Sequence, residues 1–204
     1  MRTGPIRAVF IAGAAVAATV ALAQAPDVVR VRGTIQSVDG QMLTVKTRDG
    51  AVMTIKLADN APVRAVVRET IADIKPGGFV GITAMPQPDG TQKAVEIHIF
   101  PEAMRGTGEG HRPWDLMPNS TMTNATVDSE VAVSDGQKLV LKYKDGEKTF
   151  IVPPNVAVVT YAPATPADLK PGEQVFIAAA KKLPDGSAEA PNITVSRGGV
   201  NPPM

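Results

Sequence analysis

The chain has 204 residues, no cysteine, 4% aromatic residues and a formal net charge of +1. Without cysteine there can be no disulfide framework, no thiolate-held zinc or iron–sulfur site, no cysteine nucleophile and no lipid-modified cysteine. At 44% apolar and 20% charged residues the composition is that of a folded globular chain. The balance of 21 basic to 20 acidic residues gives no electrostatic basis for a polyanionic partner.

The first element in chain order is an address. Arg2 and Arg7 precede an uncharged apolar run from Ala8 to Ala23 that ends in Ala21-Leu22-Ala23. A basic start, a short apolar stretch and a small-x-small end predict a secretory signal peptide over 1–23, cleaved after Ala23 to leave Gln24. Cutting after Ala25 would place Pro26 behind the scissile bond, which is unfavourable. The alternative is an uncleaved anchor, for which the run is short and rich in weakly apolar alanine. No other segment approaches spanning length, so the mature chain is expected to carry no membrane span and to be periplasmic or secreted. Loss of the leader removes two arginines and no acid, leaving a mature net charge of −1.

An internal repeat follows. Asp39-Gly40-Gln41-Met42-Leu43-Thr44-Val45-Lys46-Thr47-Arg48-Asp49-Gly50 recurs 96 positions later, from Asp135 to Gly146, with seven of twelve residues identical. Thr70-Ile71-Ala72-Asp73-Ile74-Lys75-Pro76-Gly77 returns from Thr165 to Gly172 at offset 95, and Pro88-Asp89-Gly90 returns as Pro184-Asp185-Gly186 at offset 96. One residue is therefore lost from the second copy before Asn155 and regained before Pro184, and both changes are expected in loops. Within each copy Leu43 and Val45 alternate with polar neighbours, as a half-buried strand requires. Asp49-Gly50 predicts a hairpin turn into Met53–Leu57. Thr165, Pro166 and Asp168 predict a capped short helix, stopped by Lys170-Pro171-Gly172. Two further strands follow, through Val80, Ile82 and Ala84 and through Val95, Ile97 and Ile99. The expected order is β-β-β-α-β-β. This predicts an all-β fold, mainly β with one short helix per repeat, as two tandem OB-like five-stranded β-barrels at 28–100 and 125–196. A linker at 101–124 joins them and a flexible tail at 197–204 ends the chain. Two open sheets are the alternative.

The Gly33-Thr34-Ile35-x-x-Val38-Asp39-Gly40 stretch, the second Asp-Gly pair and the Asp-(Ile/Leu)-Lys-Pro-Gly motif resemble a family of small exported bacterial β-barrel (OB-like) domains of unknown function, here as a tandem repeat. The resemblance covers about two thirds of the chain. Its motifs are turn and cap residues, so it implies an architecture and transfers no activity.

Chemistry is expected in the linker, which holds the only tryptophan. Trp114 plugging the groove between the barrels is the structural reading. Arg105, His111, Arg112, Trp114 and Asp115 are the candidate ligand- or partner-binding residues. Glu109, His111, Met104, Met117 and Met122 offer carboxylate, imidazole and thioether donors that would suit copper, the one possible cofactor. His98, opposite the apolar face of its strand, is expected to face solvent. Ser120, His111 and Asp115 supply the residue types of a hydrolase without a nucleophile-elbow pattern. Arg64, Arg68, Arg105 and Arg112 offer a local anion-binding patch, or simply a solvated face. Nucleic acid is excluded as a partner because stacking platforms in a basic groove are lacking. The leading expectation is a non-catalytic binding protein of the cell envelope, with a small ligand or an envelope protein as partner. The alternatives are a metal-handling accessory protein and a hydrolase. The leader predicts that exported protein begins at Gln24 by N-terminal sequencing; retention of Arg2 and Arg7 would establish an anchor.

Overall fold

A computed structural model describes residues 27–134 and 136–202. The expected signal peptide lies outside the described residues. Among the described residues fourteen strands run in chain order: β1 (Val28–Asp39), β2 (Met42–Thr47), β3 (Val52–Leu57), β4 (Val63–Glu69), β5 (Phe79–Pro86), β6 (Gln92–Ile99), β7 (Gly110–Pro113), β8 (Thr121–Val133), β9 (Gly136–Tyr143), β10 (Gly146–Val152), β11 (Ala157–Pro163), β12 (Gln174–Lys182), β13 (Ala188–Ala190) and β14 (Ile193–Val195).

The chain is nearly all β, and the strands close on themselves by crossing between repeats. β1 pairs with β2, β2 with β3, β3 in parallel with β13, β13 with β12, and β12 with β1. This closed five-strand barrel takes three strands from the first repeat and two from the second. A second hydrogen-bonded circuit runs β8-β9-β10-β6-β5 and back to β8, with β10 and β6 parallel. It takes three strands from the second repeat and two from the first. The expectation of one barrel per repeat is therefore corrected: the C-terminal hairpin of each copy completes the sheet begun by the other. Ring closure satisfies the edges of these short strands without leaving a template for aggregation.

Each copy has four strands before its 3-10 turn where three were expected, and the last of them, β4 or β11, explains the exchange. These two strands pair antiparallel from Val158↔Glu69 to Pro163↔Arg64, with Val66 opposite Tyr161. Val66 and Tyr161 are 95 positions apart, which is the offset of the repeat in this region. A strand that pairs antiparallel with its own copy at the equivalent residue defines a pseudo-two-fold axis. β11 also pairs in parallel with β6, and β14 in parallel with β4, so the centre is related by the same axis.

Two apolar cores fill the two rings. Ile35, Leu43, Ile55, Ile177 and Ile193 belong to the first; Ile82, Ile97, Leu139, Leu141 and Phe150 belong to the second. Leu169 packs into the first core and Ile74 into the second, each contributed by the other repeat.

The predicted helix is a single 3-10 turn, Ile71–Asp73 in one copy and Pro166–Asp168 in the other. The expected capping boxes are present: the backbone N–H of Thr70 donates to Asp73 at 2.9 Å and that of Thr165 to Asp168 at 2.8 Å. Proline at 76 and 171 excludes α geometry from the residue before it, so the turn cannot propagate.

The residue lost from the second copy comes from a hairpin: Arg48-Asp49-Gly50 span the β2–β3 turn, whereas Lys144-Asp145 suffice between β9 and β10. The regained residue lies inside a strand and not in a loop. Val29 pairs with Ala180 and Val31 with Ile177, so one residue of β1 faces two of β12 in a bulge. The described part of the tail is tied down as well. Arg197 bridges to Val200 and donates to the carbonyl of Pro163 at 3.1 Å.

Gly33 sits where β1 is hydrogen-bonded to both β2 and β12. A Cβ there would press into the Lys46 carbonyl oxygen and come within 2.7 Å of Val45 Cγ1. Gly33→Ala is expected to cost about 2–3 kcal/mol by overpacking. Calorimetry should then show Tm lowered by about 5–10 °C; an unchanged Tm would mean that β1 can relax away from β2.

Candidate functional site

A cavity of about 530 Å³ opens beside the pseudo-two-fold axis, where strands of both rings meet. Its walls are aromatic: Phe100 at the end of β6, Trp114 after β7, Tyr161 on β11 and Phe176 on β12. Met122 and Phe176 are buried together, with Trp114 and Tyr161 packed against them. Trp114 therefore touches side chains from both rings. The linker carrying it is ordered: β7 pairs with β8, and the Trp114 N–H donates to the Ser120 carbonyl at 2.8 Å.

The repeats differ at these positions. Tyr161 corresponds to Val66, Phe176 to Gly81 and Phe100 to Ser196. Gly81 has no room for a side chain, since a Cβ would lie 2.7 Å from Asn124 Oδ1 and 3.0 Å from the Phe100 ring. The aromatic cleft is thus a departure from the symmetry of the fold.

Guanidinium groups surround the rings. Arg30 lies 3.9 Å from the Trp114 ring centroid, Arg112 5.5 Å and Arg32 5.8 Å; Arg64 lies 5.9 Å from that of Tyr161. Arginine suits such positions because its weakly hydrated plane stacks on a π face. Asp115 bridges Arg30 at 2.8 Å and Arg32 at 3.0 Å. Burial opposes ionisation of Asp115, but its hydrogen bonds and charge attraction to Arg32 and Arg30 outweigh that and hold its pKa below the ordinary value. Arg112 donates to the Gly108 carbonyl at 2.7 Å.

Behind the cleft wall lies a buried polar seam. Glu96 is 3% exposed and His98 is fully buried. His98 stacks on Tyr161 at 3.9 Å and on Phe100 at 4.9 Å between centroids. Neither the carboxylate oxygens of Glu96 nor the ring nitrogens of His98 have a hydrogen-bond partner among the described residues. Burial pushes the Glu96 carboxyl up to about 8, against weaker attraction from Arg32 and Arg48, and pushes His98 down to about 3. The expectation of a solvent-facing His98 is corrected. It does point away from the apolar face, but β11 pairs alongside β6, and Tyr161 and Phe100 cover it.

The sequence-selected residues divide. Arg112 and Trp114 line the cleft, and Asp115 holds Arg30 and Arg32, the other two arginines near the Trp114 ring. Arg105 lies apart, donating to Glu102 at 2.6 Å and to the Gly77 carbonyl at 2.9 Å. His111 is directed to Thr123, with Nδ1 2.7 Å from Oγ1, as the β7 neighbour of Arg112 must be on the opposite face. Glu109 accepts from the Lys144 N–H at 3.0 Å. Met104 and Met122 line the cleft, while Met117 is an exposed side chain outside it. Among the described residues no group of three or more His, Asp or Glu side chains is placed to hold a metal ion. Ser120, His111 and Asp115 are each engaged with a different partner: the Ser120 hydroxyl donates to the Met117 carbonyl at 2.7 Å. Phe100, Tyr161 and Phe176 were missed as site residues. As single aromatics in strands they carried no signal beyond core packing, though a comparison of the two copies marks each as unmatched.

The ordinary value for Glu96 is 4.5 and for His98 is 6.5. The folded state therefore holds a proton on Glu96 that the unfolded chain gives up, and stability falls as pH rises from about 4.5 through about 8. His98 lacks a proton that the unfolded chain binds, so stability falls as pH drops from about 6.5 through about 3. Glu96→Gln is expected to flatten the alkaline decline of the urea midpoint while leaving the acid limb in place. An equally steep alkaline decline in the variant would assign it to another group.

No protein-family model, curated protein or solved structure matches this chain.

Proposed function

We propose that this chain is an exported, non-catalytic binding protein of the cell envelope, built from two OB-like units that exchange their C-terminal hairpins, and that it holds its ligand in the central cleft. The observation carrying this reading is the cleft itself: an open cavity walled by four aromatic side chains where both rings meet. Concave, mostly apolar sites with a few polar groups are the usual seats of small ligands. The strand order supports the OB-like unit, because the third strand of each ring pairs in parallel with the last and the fourth returns to the first. Export is supported by the leader pattern at 1–23. The non-catalytic reading is supported by the separate engagement of Ser120, His111 and Asp115. No helix among the described residues is long and apolar enough to cross a membrane.

Ala178 lines the cleft and is exposed, so it offers a way to close the site without touching a core. In a thermal-shift screen of small organic compounds, some are expected to raise the Tm of the parent protein. The same compounds should leave Ala178→Trp unmoved, with the variant's own Tm unchanged. A screen in which nothing shifts the parent, or in which Ala178→Trp responds as the parent does, would remove the cleft from the function.

A further inference from the structure

The cleft has an excess of positive charge. Arg64 and Arg112 line it, and no acidic side chain does. Among the described residues no carboxylate lies within ion-pair distance of either guanidinium. Asp115, next to Trp114 in the chain, is held by Arg30 and Arg32. Glu96 lies close enough to the lining residue Tyr161 to act on its ionisation. The burial of Glu96 keeps it protonated near neutral pH, so it does not compensate the arginines.

Both lining guanidinia also lie against rings, Arg64 by Tyr161 and Arg112 by Trp114. The cations and the flat apolar walls therefore face the same space. Thr194 on β14 and Asn192 immediately before it add hydroxyl and amide groups. A neutral apolar molecule would leave two guanidinia partly desolvated without compensation, whereas an anionic headgroup would accept charge-assisted hydrogen bonds from them.

Resting on the binding reading above, we propose that the ligand is a small organic anion with a flat apolar body, its ring lying among Trp114, Tyr161 and Phe176 and its carboxylate or phosphate held by Arg64 and Arg112. This assigns Arg64 and Arg112 as the residues that set ligand charge, and the aromatic walls as those that set its shape.

The experiment titrates the intact protein with 2-naphthoate, 2-naphthyl phosphate and the neutral 2-naphthalenemethanol, following the emission of Trp114, the only tryptophan. At least one anion is expected to quench it saturably, with Kd about tenfold or more below that of the alcohol. The tighter anion identifies the headgroup. Arg64→Met should abolish that preference; the Arg64 guanidinium makes no hydrogen bond or ion pair among the described residues, so the variant's Tm should match the parent. Arg112→Met provides an independent second variant should Arg64→Met fail to fold. Equal binding of the alcohol and the anions, or an anion preference surviving both substitutions, would overturn the charge assignment while leaving a ligand-binding cleft. If none of the three binds while the compound screen succeeds, the ligand class alone is wrong. If both fail, the binding reading falls with it.

Discussion

The antiparallel pairing of β4 with β11 is the constraint on which the rest of the molecule depends. With Val66 opposite Tyr161, each repeat enters the central sheet beside its copy and running against it. The chain leaving β4 then turns at Thr70 into β5 and arrives at the far side of the axis, next to β8. The symmetric path leads from β11 through Thr165 to β12, next to β1. Exchange of the C-terminal hairpins follows from that geometry, and two rings are closed by long-range pairings between repeats. Such pairings require large loops to be closed before contacts form, so the fold is expected to assemble slowly relative to a chain of two independent barrels.

The same pairing creates a seam that no single barrel would have. Glu96 and His98 on β6, and their counterparts Asn192 and Thr194, all face it. On one side of the axis Asn192 and Thr194 line the cleft, Asn192 half-buried and Thr194 buried. On the other, Glu96 and His98 are sealed beneath Phe100 and Tyr161, where a charged form is costly and both groups shift toward neutrality. Equivalent positions of the repeat thus hold neutral cleft-lining groups in one copy and unpartnered titratable groups in the other.

The cleft depends on departures from symmetry at a few positions. Tyr161 replaces a valine, Phe176 replaces a glycine and Phe100 replaces a serine between the copies. The linker supplies the fourth ring, Trp114, and the cation of Arg112, while β1 supplies Arg30 and Arg32 with Asp115 as their shared counter-ion. Because Asp115 accepts from Arg30 and Arg32 and pairs with neither Arg64 nor Arg112, the charge of the cavity lining remains positive.

The turn and cap residues were legible from the chain alone, since their physics is local. Thr70 with Asp73, Thr165 with Asp168 and Asp49-Gly50 act within a few residues of themselves and occupy the expected places. The alternation through Leu43 and Val45 likewise identified core-facing residues, because period-two patterning needs only one buried face. Alternation gave no residue bounds for β4 and β11, because both faces of a central strand are covered, which blurs the pattern into runs such as Val66-Val67 and Val158-Val159. The sequence by itself determined the repeat and the β architecture, and it singled out Trp114, which lines the cleft. Only the tertiary structure decided which repeat completes which ring, that His98 is buried, and that Arg64, Arg112 and three strand aromatics share one space. Those outcomes rest on contacts between residues far apart in the chain, and no local periodicity encodes the partner that a strand edge will meet.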